Sequence, residues 1–81
     1  MPDDRTDEPR EQPFLEPGIL DLLLTRHPAQ VHLDELVRSS PEDRVLVEDA
    51  VMNLVADGLA HRHGDFVAPT RAAVRFRELG L

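Results

Sequence analysis

Apolar residues recur at helical spacing along most of this chain, and the period shortens only after Gly58. The longest periodic stretch is Ser40 to Leu59, SPEDRVLVEDAVMNLVADGL. Val47, Val51, Leu54 and Val55 fall on one face of it. Ser40 is placed to cap its start, with Pro41 at the first helical position, where the missing N–H costs nothing. Asp43, three residues after Ser40, completes a capping box with Asp in place of Glu or Gln. Gly58 follows as a left-handed C-cap. The pattern predicts one long helix with a single buried side.

Upstream, Pro17 or Gly18 opens a first helix that carries Ile19, Leu20, Leu22, Leu23 and Leu24. His27-Pro28 ends it, because the residue before proline is pushed out of the α region. Five apolar residues in six positions exceed the face that one small core needs. Two readings follow: a fully buried helix, or one whose Leu20 or Leu24 faces a second subunit. Gln30 to His32 reads as a short edge strand. Leu33 to Ser39 is a short helix with Leu33, Leu36 and Val37 on one face, and Ser39-Ser40-Pro41 is the turn.

After Gly58, Leu59 to His63 and Phe66 to Ala68 flank Gly64-Asp65, which predicts a β-hairpin. A two-residue turn pairs His63 with Phe66 and puts Leu59 and Val67 on opposite faces. A three-residue loop, His63 to Asp65, puts Leu59, His61 and Val67 on one face. The pattern favours the second, since both Leu59 and Val67 seek the core. Thr70 then caps a last helix, about Arg71 to Leu79, that ends at Gly80. Ala72, Phe76 and Leu79 share one face of it, and Arg71, Arg75 and Glu78 another.

Composition bounds the picture. A chain of 81 residues makes one domain, with a small core that oligomerisation would help. It has no cysteine, so disulfides and thiolate metal sites are excluded. No apolar run suits a bilayer and no secretory leader pattern opens the chain. The expectation is a cytoplasmic protein with no membrane contact. The net charge is −7 and is unevenly placed. Residues 1–17 hold six acids against Arg5 and Arg10, with four prolines. They read as a disordered acidic tail, either solubilising or an arm that competes with DNA or docks on a partner. Phe14 and Leu15 would clip its end to the core. The folded domain is then 18–81. Its own acidity weighs against nucleic acid, because such binders neutralise phosphates.

Catalytic groupings are missing from the pattern. There is no glycine-rich phosphate loop, no cysteine, tyrosine or tryptophan. Asp34-Glu35 and Glu48-Asp49 are adjacent pairs that point apart on a helix. The expectation is no enzyme and no cofactor in a domain with so little room for a pocket. His61-x-His63 puts two imidazoles on one side of a strand, and His32 from the neighbouring strand would make a third metal ligand. That spacing is common by chance and assigns no metal. A pH-sensitive hairpin is the softer use of these rings.

The order helix, short strand, helix, turn, long helix, hairpin, helix resembles a winged helix-turn-helix domain, an α+β fold with a three-helix core, a small strand, a β-hairpin wing and a C-terminal helix. ILDLLLTRHPAQVHLDELVRSS looks like the first two helices with the strand between them. LVADGLAHRHGDFVAPT is similar to the recognition-helix end and wing of MarR- and PadR-like transcriptional regulators. The resemblance spans Gly18 to Leu79 and looks like a stand-alone wing domain of actinobacterial type.

That resemblance implies a small DNA-binding transcriptional regulator, a homodimer on double-stranded DNA. It places helix 3 in the major groove with residues near its N-terminus toward the bases: Glu42, Asp43, Arg44, Glu48 and Asp49. Four of the five are acids, and only Arg44 has the donors for guanine or phosphate. The wing offers His61, Arg62 and His63, with Arg71 and Arg75 nearby. The implied DNA contacts are therefore Arg44, Glu48, His61, Arg62, His63 and Arg71. Helix 1, the apolar end of helix 4 or Phe14-Leu15 would supply the dimer surface. The acidic helix 3 keeps a second reading open, a winged-helix protein-interaction module that docks on a basic protein partner without binding DNA.

Overall fold

The computed structural model describes residues 15–80. Four helices and three short strands follow in the order α1 (Leu15–Arg26), β1 (Val31–His32), α2 (Leu33–Ser39), α3 (Arg44–Ala56), β2 (Ala60–His63), β3 (Phe66–Pro69) and α4 (Arg71–Glu78). The fold is α+β. Its sheet is antiparallel with the order β1-β3-β2. No helix of the described residues is long and apolar enough to cross a membrane.

The core is aliphatic. Ile19 and Leu23 of α1, Leu33 and Leu36 of α2, and Val47, Ala50, Val51 and Leu54 of α3 close on Val31, Ala60 and Val67 of the sheet. Val47, Val51 and Leu54 are the face that the sequence periodicity marks, and Val55 packs at its edge. Helix α1 begins at Leu15 rather than at Pro17 or Gly18. Pro17 then lies in its first turn, where its lack of an N–H leaves no intrahelical acceptor unpaired. Leu15, Leu20 and Leu22 pack on the core while partly open to solvent. Leu24 is half-buried, so α1 is neither sheathed all round nor bare on its far side. The Asn53 amide donates to Glu16 Oε2 at 2.8 Å and ties the start of α1 to α3. Phe14 and the acidic segment before it lie outside the described residues.

The start of α3 differs from its expected place. Ser40 is the C-cap of α2, not the N-cap of α3, and its Oγ accepts the Glu42 amide at 3.1 Å. Asp43 is the N-cap, its carboxylate accepting from the Leu46 amide at 3.1 Å. A carboxylate suits the positive end of the helix better than a hydroxyl does, and Pro41 is left in the turn. The other end of α3 is a Schellman closure. Gly58 takes φ +78°. Its N–H reaches the Val55 carbonyl at 3.0 Å, and the Leu59 N–H reaches the Leu54 carbonyl at 2.9 Å.

That closure corrects the hairpin register. The two-residue turn Gly64-Asp65 is the one formed, with His63 opposite Phe66, Arg62 opposite Val67, His61 opposite Ala68 and Ala60 opposite Pro69. Leu59 belongs to the helix cap and not to the strand, so it reaches the core without sharing a face with Val67. Residues paired directly across antiparallel strands share a face. Ala60, Val67, Pro69 and Val31 therefore look inward, and His61, His63, Phe66, Ala68 and His32 outward.

Thr70 joins the hairpin to α4. Its hydroxyl donates to the Gly58 carbonyl at 2.8 Å and accepts the Ala73 amide at 3.1 Å, while its own N–H reaches the Leu59 carbonyl at 3.0 Å. One buried side chain thus fixes the exit of α3, the base of the hairpin and the start of α4. Ala73 is the buried residue of α4. The apolar triad Ala72, Phe76 and Leu79 instead faces solvent.

Candidate nucleic-acid interface

The residues singled out for DNA contact divide into three groups in space. Arg44 and Glu48 form one. Arg44 is the first residue of α3, and its guanidinium bridges two carboxylates. Nη1 donates to Asp34 Oδ1 of α2 at 2.8 Å, and Nε donates to Glu48 Oε2, one turn along α3, at 3.0 Å. The Arg44 hydrogen bond holds the Asp34 carboxyl below its ordinary value, against an opposing effect of burial. The same two acids raise the guanidinium further above its ordinary value, Asp34 first and Glu48 second. Arg44 is the residue for which the resemblance implies a base-reading role, and its positive charge is already balanced within the protein.

The second group is the outer face of the sheet. His32 and His63 are the two cross-strand partners of Phe66. The His32 and Phe66 rings meet edge to face with centroids 5.0 Å apart. His61 and His63 are exposed, two residues apart on β2, with ring centroids 6.5 Å apart. The three histidines share this face, but β3 separates His32 from the other two. Among the described residues no group of three metal-ligating side chains is placed to hold an ion. His32 is instead the N-cap of α2, its Nδ1 accepting the Asp34 amide at 3.0 Å. Asp34 Oδ2 stands 3.8 Å from the same nitrogen.

These two groups are continuous. Phe66 contacts His32, His32 caps Asp34, Asp34 holds Arg44 and Arg44 holds Glu48. The Leu33 N–H also donates to the Asp65 carbonyl at 2.7 Å, which pins the hairpin turn to the start of α2. One ridge therefore runs from the hairpin tip over α2 to the beginning of α3. The sequence pattern pointed to His61, His63 and Arg44 separately. It missed Phe66, which meets His32 only because β1 pairs with β3, and it missed the local capping role of His32.

Arg62 and Arg71 stand apart. Arg62 shares the inner face with Val67. Its Nε donates to the Gly64 carbonyl at 2.8 Å, and Nη2 lies 3.9 Å from Asp65 Oδ1. It braces its own turn. Arg71 is exposed at the first position of α4, beyond Pro69, at the base of the hairpin and away from its tip.

The remaining surface of α3 carries no cation beyond Arg44. Val45 is 68% exposed and Met52 52%, and exposed Asp49 lies between them at helical spacing. That second stripe was visible in the sequence as the i, i+4, i+7 set offset from the core face. Comparison with protein families, with characterised proteins and with solved structures finds no match to this chain.

Proposed function

We propose that this chain is a winged helix-turn-helix protein that binds double-stranded DNA as a homodimer and regulates transcription. The observation that supports the reading is the ridge from the hairpin to α3, held by the Leu33–Asp65 and Asp34–Arg44 bonds at 2.7 and 2.8 Å. A reading helix and a wing act together only when their relative position is fixed, and these bonds fix it. In this reading the start of α3 faces the major groove, and the His61–His63 face lies along the backbone. Arg44 exchanges a carboxylate partner for phosphate or guanine, and Arg71 adds a phosphate contact at the hairpin base.

The net charge of −7 makes this binding weak, and its salt dependence is set by the few arginines that reach phosphate. The test is a fluorescence-anisotropy titration of the full chain with a random duplex library at low ionic strength. Binding is expected that falls as salt is raised and is lost in Arg44→Ala. A wild-type chain that shifts no duplex at low salt removes the reading.

The exposed Val45, Asp49 and Met52 of α3 favour a second function, an acidic protein-interaction module. An apolar anchor with a carboxylate beside it suits a basic amphipathic segment of another protein. Its signature is a partner captured by the wild-type chain and released by Met52→Glu, with no duplex bound.

A further inference from the structure

Two surfaces on one side of this molecule are complementary to each other. The first is a groove of about 590 Å³ between α1 and the α2–α3 turn. Leu15, Ile19, Leu22 and Leu36 give it an apolar lining, and Asp21 and Glu42 lie on its wall. The second is the outer stripe of α4. Phe76 is 56% exposed and Leu79 57%, with Ala72 exposed on the same face and Arg71 and Arg75 beside it. An eight-residue helix that buries only Ala73 has little stability of its own. Two large apolar side chains left in water on such a helix lack a partner within the described fold.

The two surfaces adjoin. Asp21, which lines the groove, also takes Arg77 Nη1 of α4 at 3.4 Å. The α1 ridge at Asp21 therefore has the acidic groove beside it and the basic helix bound to it. A face that carries a feature and its complement side by side is self-complementary, and a two-fold axis then satisfies both at once.

We propose that the occupant of the groove is α4 of a second copy of this chain. Phe76 and Leu79 of each protomer seat among Leu15, Ile19, Leu22 and Leu36 of the other. Arg75 meets Glu42 at the groove wall. The exchange is reciprocal, so the dimer is closed and leaves no unfilled groove to propagate a fibre. This rests on the homodimer part of the function proposed above and is independent of DNA. It assigns the dimer surface to the α4 stripe and the α1–α2 groove together, where either helix alone presents only half of it.

Sedimentation equilibrium of the full chain tests it. A concentration-dependent dimer is expected, and Phe76→Glu should be monomeric at the same concentrations with its helical circular dichroism kept. Glu42→Arg and Arg75→Glu should each weaken the dimer by about tenfold, because the contact occurs twice. The Glu42→Arg/Arg75→Glu double variant should recover it. Since the chain has no native cysteine, Glu42→Cys/Arg75→Cys should oxidise to an interchain disulfide dimer. A dimer that survives Phe76→Glu and both charge reversals overturns this surface and leaves the homodimer standing. A wild-type monomer throughout the concentration range overturns both, whatever the duplex titration shows.

Discussion

Arg44 and Asp34 are joined at 2.8 Å across the turn between α2 and α3. The bond orients α3 and, at the same time, occupies the donor that α3 would offer a duplex. Any phosphate that binds Arg44 competes with an intramolecular carboxylate already in place. The two roles separate on substitution. Asp34→Asn keeps the shape and removes the charge, so duplex affinity should rise severalfold and the salt dependence should steepen. Anisotropy titrations of both proteins at two salt concentrations measure this. Unchanged affinity would show that Arg44 makes no contact with DNA.

The same pair shapes the response to acid. The Asp34 carboxyl titrates below its ordinary value of 3.8 in the folded chain, chiefly because Arg44 hydrogen-bonds to the ionised form. A lowered folded-state value stabilises the fold at every pH above the unfolded-state value, and that contribution disappears as pH falls through the folded one. Wild type should thus exceed Asp34→Asn in thermal stability at neutral pH, and the two should converge in strong acid. Melting curves followed by circular dichroism from about pH 7 down to about pH 2 check this. A gap that stays constant in acid would mean that the difference arises from packing and not from charge.

Periodicity was the part of the fold most legible in the sequence. Val47, Val51 and Leu54 are spaced by the helix itself, so a local pattern sufficed to place them in the core. The start of α3 was less legible because Ser40 and Asp43 are both good caps, and only the geometry of the turn selects Asp43. The hairpin register failed for a related reason. Leu59 looked like a strand residue, yet the left-handed Gly58 commits it to closing α3. At the candidate site, single charged residues could be named from the chain order. Their pairing could not, since Arg44 meets Asp34 and Phe66 meets His32 only through tertiary contacts.

Thr70 bears more of the fold than its position in a loop implies. Its hydroxyl both donates to Gly58 and accepts from Ala73. Thr70→Val keeps the volume and loses both bonds. It should cost about 1–3 kcal/mol, the sum of a lost N-cap and a partly buried carbonyl left without its donor. Thr70→Ser, which keeps the hydroxyl, should cost less than half as much. Urea denaturation of the three proteins measures the series. A larger loss for Ser than for Val would assign the role to the threonine methyl.

At Gly58 the constraint lies in the backbone and not in space. A Cβ there meets no atom within 4 Å, but the residue holds φ +78°. Gly58→Ala should therefore destabilise by about 1 kcal/mol through strain alone. Gly58→Asn should cost less, since asparagine tolerates the left-handed region. Differential scanning calorimetry would rank them, and an alanine as stable as glycine would place the closure of α3 elsewhere.

Arg62 decides between a structural and a contacting role for the hairpin cation. Its guanidinium bonds the Gly64 carbonyl at 2.8 Å within a turn whose Asp65 carbonyl also receives the Leu33 N–H. If it braces the turn, Arg62→Ala should loosen the tip locally, by about 0.5–1.5 kcal/mol. Amide exchange at Leu33 should then quicken while exchange in α3 is unaltered. Arg62→Glu is the less informative change, since it breaks the brace and reverses the charge together. Duplex affinity supplies the contrast. Under the bracing role Arg62→Ala weakens binding only as far as the tip opens, and the number of ions released stays the same. A fall in the salt slope by about one, with Leu33 exchange unchanged, would instead make Arg62 a direct phosphate contact.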